Sequence, residues 1–136
     1  IAVASLLHDI GKIGIPDVLL QKKEEDMTEE ELETYMKHAV RGQAAIDSIE
    51  DLRDAGILIR HHHEWFNGKG HPDGLKGTDI PPGARILAMA DFADRRIKNH
   101  SGDNAIETVL KELKQELATK FDPDLYPYIE KSVREV

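Results

Sequence analysis

Apolar residues recur at helical spacing along nearly the whole chain, and no stretch alternates convincingly between apolar and polar with a period of two. Residues three or four apart share a helix face, whereas alternate residues share a strand face, so the pattern predicts an all-α fold. Val3, Leu6, Leu7 and Ile10 mark a buried first helix that Gly11 and Pro16 close, leaving His8, Asp9 and Lys12 at its end. A connector spans residues 14–20. Thr28 with Glu31 forms a capping-box signature, and Leu32, Tyr35, Met36, Ala39 and Ile46 then line one face of a long helix that carries His38 and Gly42.

Leu52, Ala55 and Ile59 continue the period through a third helix as far as His62 or His63, and Asn67-Gly68 breaks it. Residues 68–74 then read as a glycine-rich loop. Pro81 and Pro82 open a helix that Ile86, Leu87, Met89, Ala90 and Phe92 make apolar on most sides, with Asp91 inside the apolar run. Ile106, Val109, Leu110, Leu113 and Leu117 describe a surface helix, and Asp122-Pro123 caps a short last one.

The chain has 136 residues, of which 40% are hydrophobic, enough apolar material for one core, so residues 1–136 read as a single domain. It begins inside an apolar helix without an initiator Met, the mark of a piece of something longer. A formal charge of −8 argues against broad attachment to DNA, RNA or an anionic membrane, all of which need clustered Lys and Arg. There is no signal-peptide start and no spanning apolar run, so neither export nor direct membrane insertion is expected. With no cysteine, any metal must be held by His nitrogen and carboxylate oxygen, a composition that fits the cytoplasm.

His8, Asp9, His38, His62, His63 and Asp91 supply those donors on helices that otherwise bury apolar faces. Imidazole and carboxylate together suit Fe, Mn, Co or Zn, and an aspartate can bridge two ions. Two such ions about 3.5–4 Å apart can serve phosphodiester hydrolysis. Each piece has a plainer explanation. His38 alone fits a hydrogen-bonded core histidine, Lys12 a solvated residue closing a helix, and His61-His62-His63 a polar helix end favoured by the dipole. Asp91 is harder to dismiss, because an ionised carboxylate buried without a partner costs several kcal/mol. Successive helical residues diverge by about 100°, which places His61 outside the cluster. Glu64 is expected to orient a ligand histidine by accepting its second N–H.

The segment His8-Asp9-Ile10-Gly11-Lys12-Ile13-Gly14-Ile15-Pro16 resembles the first signature of HD-GYP domains, a branch of the HD metal-dependent phosphohydrolase superfamily. His62-His63-Glu64, residues 68–75, Ile80-Pro81, Ala84-Arg85-Ile86, Ala90-Asp91 and Phe121-Asp122-Pro123 resemble its later signatures in the same order. The resemblance implies an HD-superfamily helical bundle that holds two divalent metal ions, most often Fe or Mn, and hydrolyses cyclic di-GMP to a linear dinucleotide in bacterial second-messenger signalling. It implies that Asp9 bridges the ions, that His38, His62 and His63 complete one ion's shell, and that His8 and Asp91 serve the other. It also implies that catalytic Lys12 faces the scissile phosphate, and that Gly70, His71 and Arg95 approach the substrate. An upstream sensor or receiver domain and a homodimer are the partners it implies.

Three departures qualify it. Gly70-His71-Pro72 stands where the family has Gly-Tyr-Pro, and Arg95-Arg96-Ile97-Lys98-Asn99-His100 stands where active members carry a Ser/Thr-x-Arg-Pro-Tyr-Arg-like stretch. The chain also starts after the place of a further ligand histidine, so this stretch by itself is expected to bind its second ion weakly and to turn over poorly. A degenerate module that binds metal or nucleotide without turnover, and a phosphohydrolase acting on another nucleotide, are the two alternatives.

Overall fold

A computed structural model describes residues 1–135. The chain is all-α, with helices α1 (Ala2–Leu7), α2 (Asp17–Leu20), α3 (Glu29–Ile46), α4 (Arg53–His61), α5 (Pro82–Asn99), α6 (Ala105–Gln115) and α7 (Tyr126–Arg134). Among the described residues the only β pairing is an isolated bridge between Leu117 and Phe121.

Helix α3 begins where the capping pattern predicts. Thr28 Oγ1 accepts the Glu31 N–H at 3.2 Å and Glu31 Oε2 accepts the Thr28 N–H at 3.0 Å, which satisfies two of the donors that a helix start leaves unpaired. Pro82 opens α5, where a missing N–H costs nothing. The capping carboxylate of Asp122 accepts the Asp124 N–H at 2.9 Å and starts the last helical segment.

Two glycines set the close packing that forms the site. The 3-10 turn Ile10–Lys12 lies directly on α3, and a Cβ on Gly11 would collide with the His38 carbonyl. A Cβ on Gly42 would come within 2.8 Å of Ile59 Cγ2, so Gly42 lets α4 approach α3. His38 and Ile59 are fully buried along this seam.

Three apolar clusters support the arrangement. Ala4, Ile46, Ile59 and Leu87 join α1, α3, α4 and α5. Ile15, Leu19, Tyr35 and Met36 hold the first connector to α3. Met89, Ala93, Val109, Leu110, Leu113, Phe121, Tyr126, Ile129 and Val133 form the largest cluster, which anchors the C-terminal half of α5 on α6 and α7. The site lies where α5 leaves this last cluster to meet α1, α3 and α4.

The structure corrects the sequence reading in three places. The first helix is not buried on its Val3 and Leu6 face, since Leu6 is 84% exposed and only Ala4 is sealed. Among the described residues no element packs there. The connector contains the short helix α2, which Pro16 precedes and Asp17 begins. Helix α4 ends at His61, one residue before the histidine pair, so His62 and His63 sit on the turn that leaves it.

The glycine-rich loop is held at its two ends. Phe66 and Asn67 donate their N–H groups to Lys120 and Thr119 at 3.0 and 2.9 Å, and Gly77 returns to Phe66 at 2.9 Å.

Candidate metal centre

Each of three histidines is held by its own helix. The Nδ1–H of His8 donates to the Ser5 carbonyl at 2.7 Å, that of His38 to Tyr35 at 2.6 Å and that of His62 to Ile59 at 2.6 Å. Every acceptor lies three residues back, within one helical turn. With the proton committed to Nδ1, the neutral rings of His38 and His62 present an Nε2 lone pair to the space between the helices, whereas His8 Nε2 faces the Asp91 carboxylate and donates to it when the ring is doubly protonated. His62 Nε2 is buried and has no hydrogen-bond partner.

His38 Nε2 and His63 Nε2 face each other at 3.1 Å. The rings of His62 and His63 are 4.0 Å apart between centroids, and those of His38 and His62 are 5.5 Å apart. Two nitrogens each about 2.1 Å from one ion, at a little over a right angle, lie about 3 Å apart, so this separation fits a shared cation. The orphaned Nε2 of His62, the close pair and the donor chemistry together fit a divalent ion in this half of the site.

Carboxylates dominate the other half. His8 Nε2 is 3.2 Å from Asp91 Oδ1 and 3.4 Å from Asp9 Oδ2. Asp9 Oδ1 is 3.1 Å from Lys12 Nζ and 3.9 Å from His38 Nε2, so this carboxylate reaches both halves. Arg95 closes the edge, with Nε 3.0 Å from Asp91 Oδ2 and Nη1 3.0 Å from Glu24 Oε1. Lys12 Nζ lies 5.1 Å over the Tyr35 ring.

Proton affinities diverge accordingly. Burial, reinforced by the neighbouring imidazoles, pushes His62 down to about 4 and holds His63 well below the usual histidine range. Burial also lowers His38, with Lys12 adding to it. His8 moves the other way, because its hydrogen bond to Asp91 outweighs its burial. For Asp91 burial opposes ionisation, but the His8 hydrogen bond and the Arg95 charge overcome it and keep the carboxyl below its ordinary value. At neutral pH the nitrogen half is therefore uncharged, each imidazole keeping a single ring proton, while the carboxylate half is internally ion-paired.

The structure thus gathers His8, Asp9, Lys12, His38, His62, His63, Asp91 and Arg95 around one space. Gly70 passes against the backbone of His63 and Trp65, and the His71 N–H donates to the His63 carbonyl at 3.1 Å. His71 and Pro72 line a cleft of about 210 Å³ with Glu33, Met36, Lys37 and Val40. His61 turns away from the gathered residues. With Glu64 and Asp73 it makes a second group with metal-ligand chemistry, alongside the His38, His62 and His63 group.

Glu64 is corrected. Its carboxylate reaches no ligand histidine and instead accepts the N–H groups of Asp73 and Leu75 at 2.7 and 3.2 Å, because the turn after α4 aims it at the loop. Sequence reasoning also missed Glu24, the partner of Arg95. The two lie 71 residues apart with no motif between them to signal the contact.

The comparisons with known proteins agree with this geometry. The HD domain family matches residues 1–125. A probable cyclic di-GMP phosphodiesterase of Vibrio cholerae is 43% identical over 103 residues, covering 69% of this chain and 23% of that protein. The cyclic di-GMP phosphodiesterase response regulator RpfG of Xanthomonas campestris is 34% identical over 127 residues, covering 90% of this chain and 33% of that protein. The chain therefore spans a third or less of the length of these relatives. A crystal structure of a cyclic GMP-AMP specific phosphodiesterase of Vibrio cholerae shares the fold, with a TM-score of 0.75 at 20% identity over 97% of this chain and 37% of that one. No helix among the described residues is long and apolar enough to cross a membrane. By its family match and its helical architecture, this chain belongs to the HD domain family and is HD-GYP-like.

Proposed function

We propose that the chain is the metal-dependent catalytic part of a phosphodiesterase that opens a cyclic dinucleotide, with cyclic di-GMP the first candidate substrate. One observation carries the reading: bare imidazole nitrogens and ionised carboxylates converge from separate helices, with His62 Nε2 buried and unpartnered among them. That donor set suits two divalent ions of the Fe or Mn type, His38, His62 and His63 holding one, His8 and Asp91 the other, and Asp9 both. Bound there, the ions would supply Lewis acidity and an activated water.

The remaining work falls to the chain itself. Lys12, held 3.1 Å from Asp9, places an ammonium where charge develops on a non-bridging phosphate oxygen. Arg95 offers a guanidinium for the second phosphate of the ring. Gly70 and His71 bring loop backbone and an aromatic ring beside His63, positioned to meet a base or the sugar-phosphate chain. The response-regulator relative supports an associated receiver or sensor domain in the whole protein.

One feature favours a second reading, a module that binds metal and nucleotide without turnover. Arg95 is engaged by both Asp91 and Glu24, and the substrate must compete for it. The full-length protein, loaded anaerobically with Fe or Mn, should convert cyclic di-GMP to its linear form faster than it converts 3'3'-cGAMP. A reversed preference would move the substrate to the mixed dinucleotide. Stoichiometric metal with no turnover of either would establish the binding module.

A further inference from the structure

We propose that Glu64 is a positioning residue whose buried carboxylate clamps the segment from Asp73 to Leu75 onto the end of α4, and so fixes the Gly70-His71 loop beside the ligand His63. Glu64 follows His63 directly in the chain, and its side chain is fully buried at 0% exposure. Its two oxygens divide the loop between them, Oε1 taking the Asp73 N–H and Oε2 the Leu75 N–H. Arg60 adds a second tie from the same helix, its Nε and Nη2 reaching the two Asp73 oxygens at 2.8 and 2.9 Å. The loop is closed on its other side by the His71 N–H on the His63 carbonyl, at 3.1 Å. A shift of the turn that carries the metal ligands must therefore move the loop with it.

The same residues invite a competing assignment. His61 Nδ1 lies 3.5 Å from both Glu64 Oε1 and Asp73 Oδ2 and is buried without a hydrogen-bond partner, which resembles a third metal position. Each of the four carboxylate oxygens there already accepts a hydrogen bond, however. Both Glu64 oxygens accept backbone N–H groups, both Asp73 oxygens accept a guanidinium, and a cation would have to sit beside Arg60, which has the same sign of charge. A carboxylate that accepts two main-chain N–H groups needs no ion to be stable when buried, and its natural role is to fix the backbone that donates to it.

The effect on turnover rests on the phosphodiesterase reading above, whereas the effect on the loop does not. In the full-length protein, Glu64→Gln keeps the shape but turns one acceptor into a donor aimed at an N–H. Amide exchange at Asp73 and Leu75 should accelerate at least about tenfold, with metal content per chain unchanged. KM for cyclic di-GMP should rise about tenfold while kcat stays within about threefold, the pattern of lost binding rather than lost chemistry. Arg60→Gln, at a half-buried position that threatens the fold less, should shift exchange and KM in the same direction by a smaller factor. His61→Ala should leave metal content untouched. Unchanged protection at Asp73 and Leu75 in both the Glu64 and Arg60 variants would overturn the clamp, as would loss of metal from the Glu64 or His61 variant, which would make the cluster a metal position. A wild-type protein without turnover would defeat the phosphodiesterase reading alone, and the exchange and metal measurements would still decide the clamp.

Discussion

The two halves of the candidate site are built on opposite electrostatic plans. His38, His62 and His63 lie deep and carry depressed proton affinities; His62 Nε2 has no hydrogen-bond partner, and His38 and His63 meet through their Nε2 atoms. His8, Asp9 and Asp91 are closer to solvent and meet each other, Lys12 and Arg95 in ion pairs. The first half is prepared for a cation and has nothing else to do. The second is already satisfied, so a cation there must displace charge pairs before it gains its own. Burial is what separates them: desolvation strips protons from imidazoles, while shared charge keeps them on.

This contrast predicts unequal metal binding, and the most damaging way to break it is to empty the nitrogen half. His62→Ala should lower both metal content and turnover, the latter by more than the roughly 100-fold upper range for residues that merely orient a ligand. Elemental analysis beside an activity assay measures both. Asp91→Asn should act on the other half alone, removing about one equivalent of metal while the nitrogen half stays filled, and lowering turnover by about 100-fold because a two-ion mechanism fails when either position empties. Equal loss of both ions in this variant would show that the halves are one cooperative unit.

Acid sharpens the contrast further. As pH falls, protons should compete first for His8, whose affinity Asp91 raises, and last for the deeply buried His62 and His63, so metal should leave in two steps with the carboxylate half emptying first. In the metal-stripped protein the signs differ. The unfolded chain protonates near the ordinary histidine value while folded His62 resists until about 4, so its contribution makes stability fall as pH drops through that window. The His8–Asp91 pair contributes stability that is present below the ordinary histidine value and is lost as pH rises through the raised folded value. Thermal melts of stripped protein between pH 4 and 8 should therefore weaken on both sides of an intermediate maximum.

The smallest expected effect comes from Glu24→Gln, which loosens Arg95 without touching a donor. Metal content should hold and KM should fall by roughly two- to fivefold, within the range for one partly exposed ion pair. A rise in KM would mean that Glu24 positions Arg95 for the substrate instead of competing for it.

The gathered residues were legible in the sequence chiefly because their motifs together resemble the HD-GYP signatures, since taken singly most had a plainer explanation. Asp91 interrupts an apolar helix and His38 falls on a helix face that otherwise packs, so burial and polarity conflict at the very positions that converge. Helix periods and the Thr28 capping box were equally plain, since they depend only on neighbours a few residues away. What escaped is non-local. Nothing near Glu24 announces Arg95, and the exposure of Leu6 depends on which elements cover α1 rather than on α1 itself. Glu64 was misread because a ligand imidazole usually donates its second N–H to such a group, and because the period carried α4 as far as the histidine pair. The helix ends at His61 instead, and the change of direction sends the carboxylate to the loop.

The ring anchors of His8, His38 and His62 have a consequence for how such a site can change over generations. Each imidazole is aimed through Nδ1 by a carbonyl of its own helix, with Asp91 a second partner of the His8 ring and His63 a second partner of the His38 ring. A substitution that deletes one ring therefore leaves the aim of the others intact, and a lineage can trade ions, or drop from two to one, by single steps that never pass through a collapsed site. Separate anchoring of this kind lets one scaffold support both enzymes and silent binding modules.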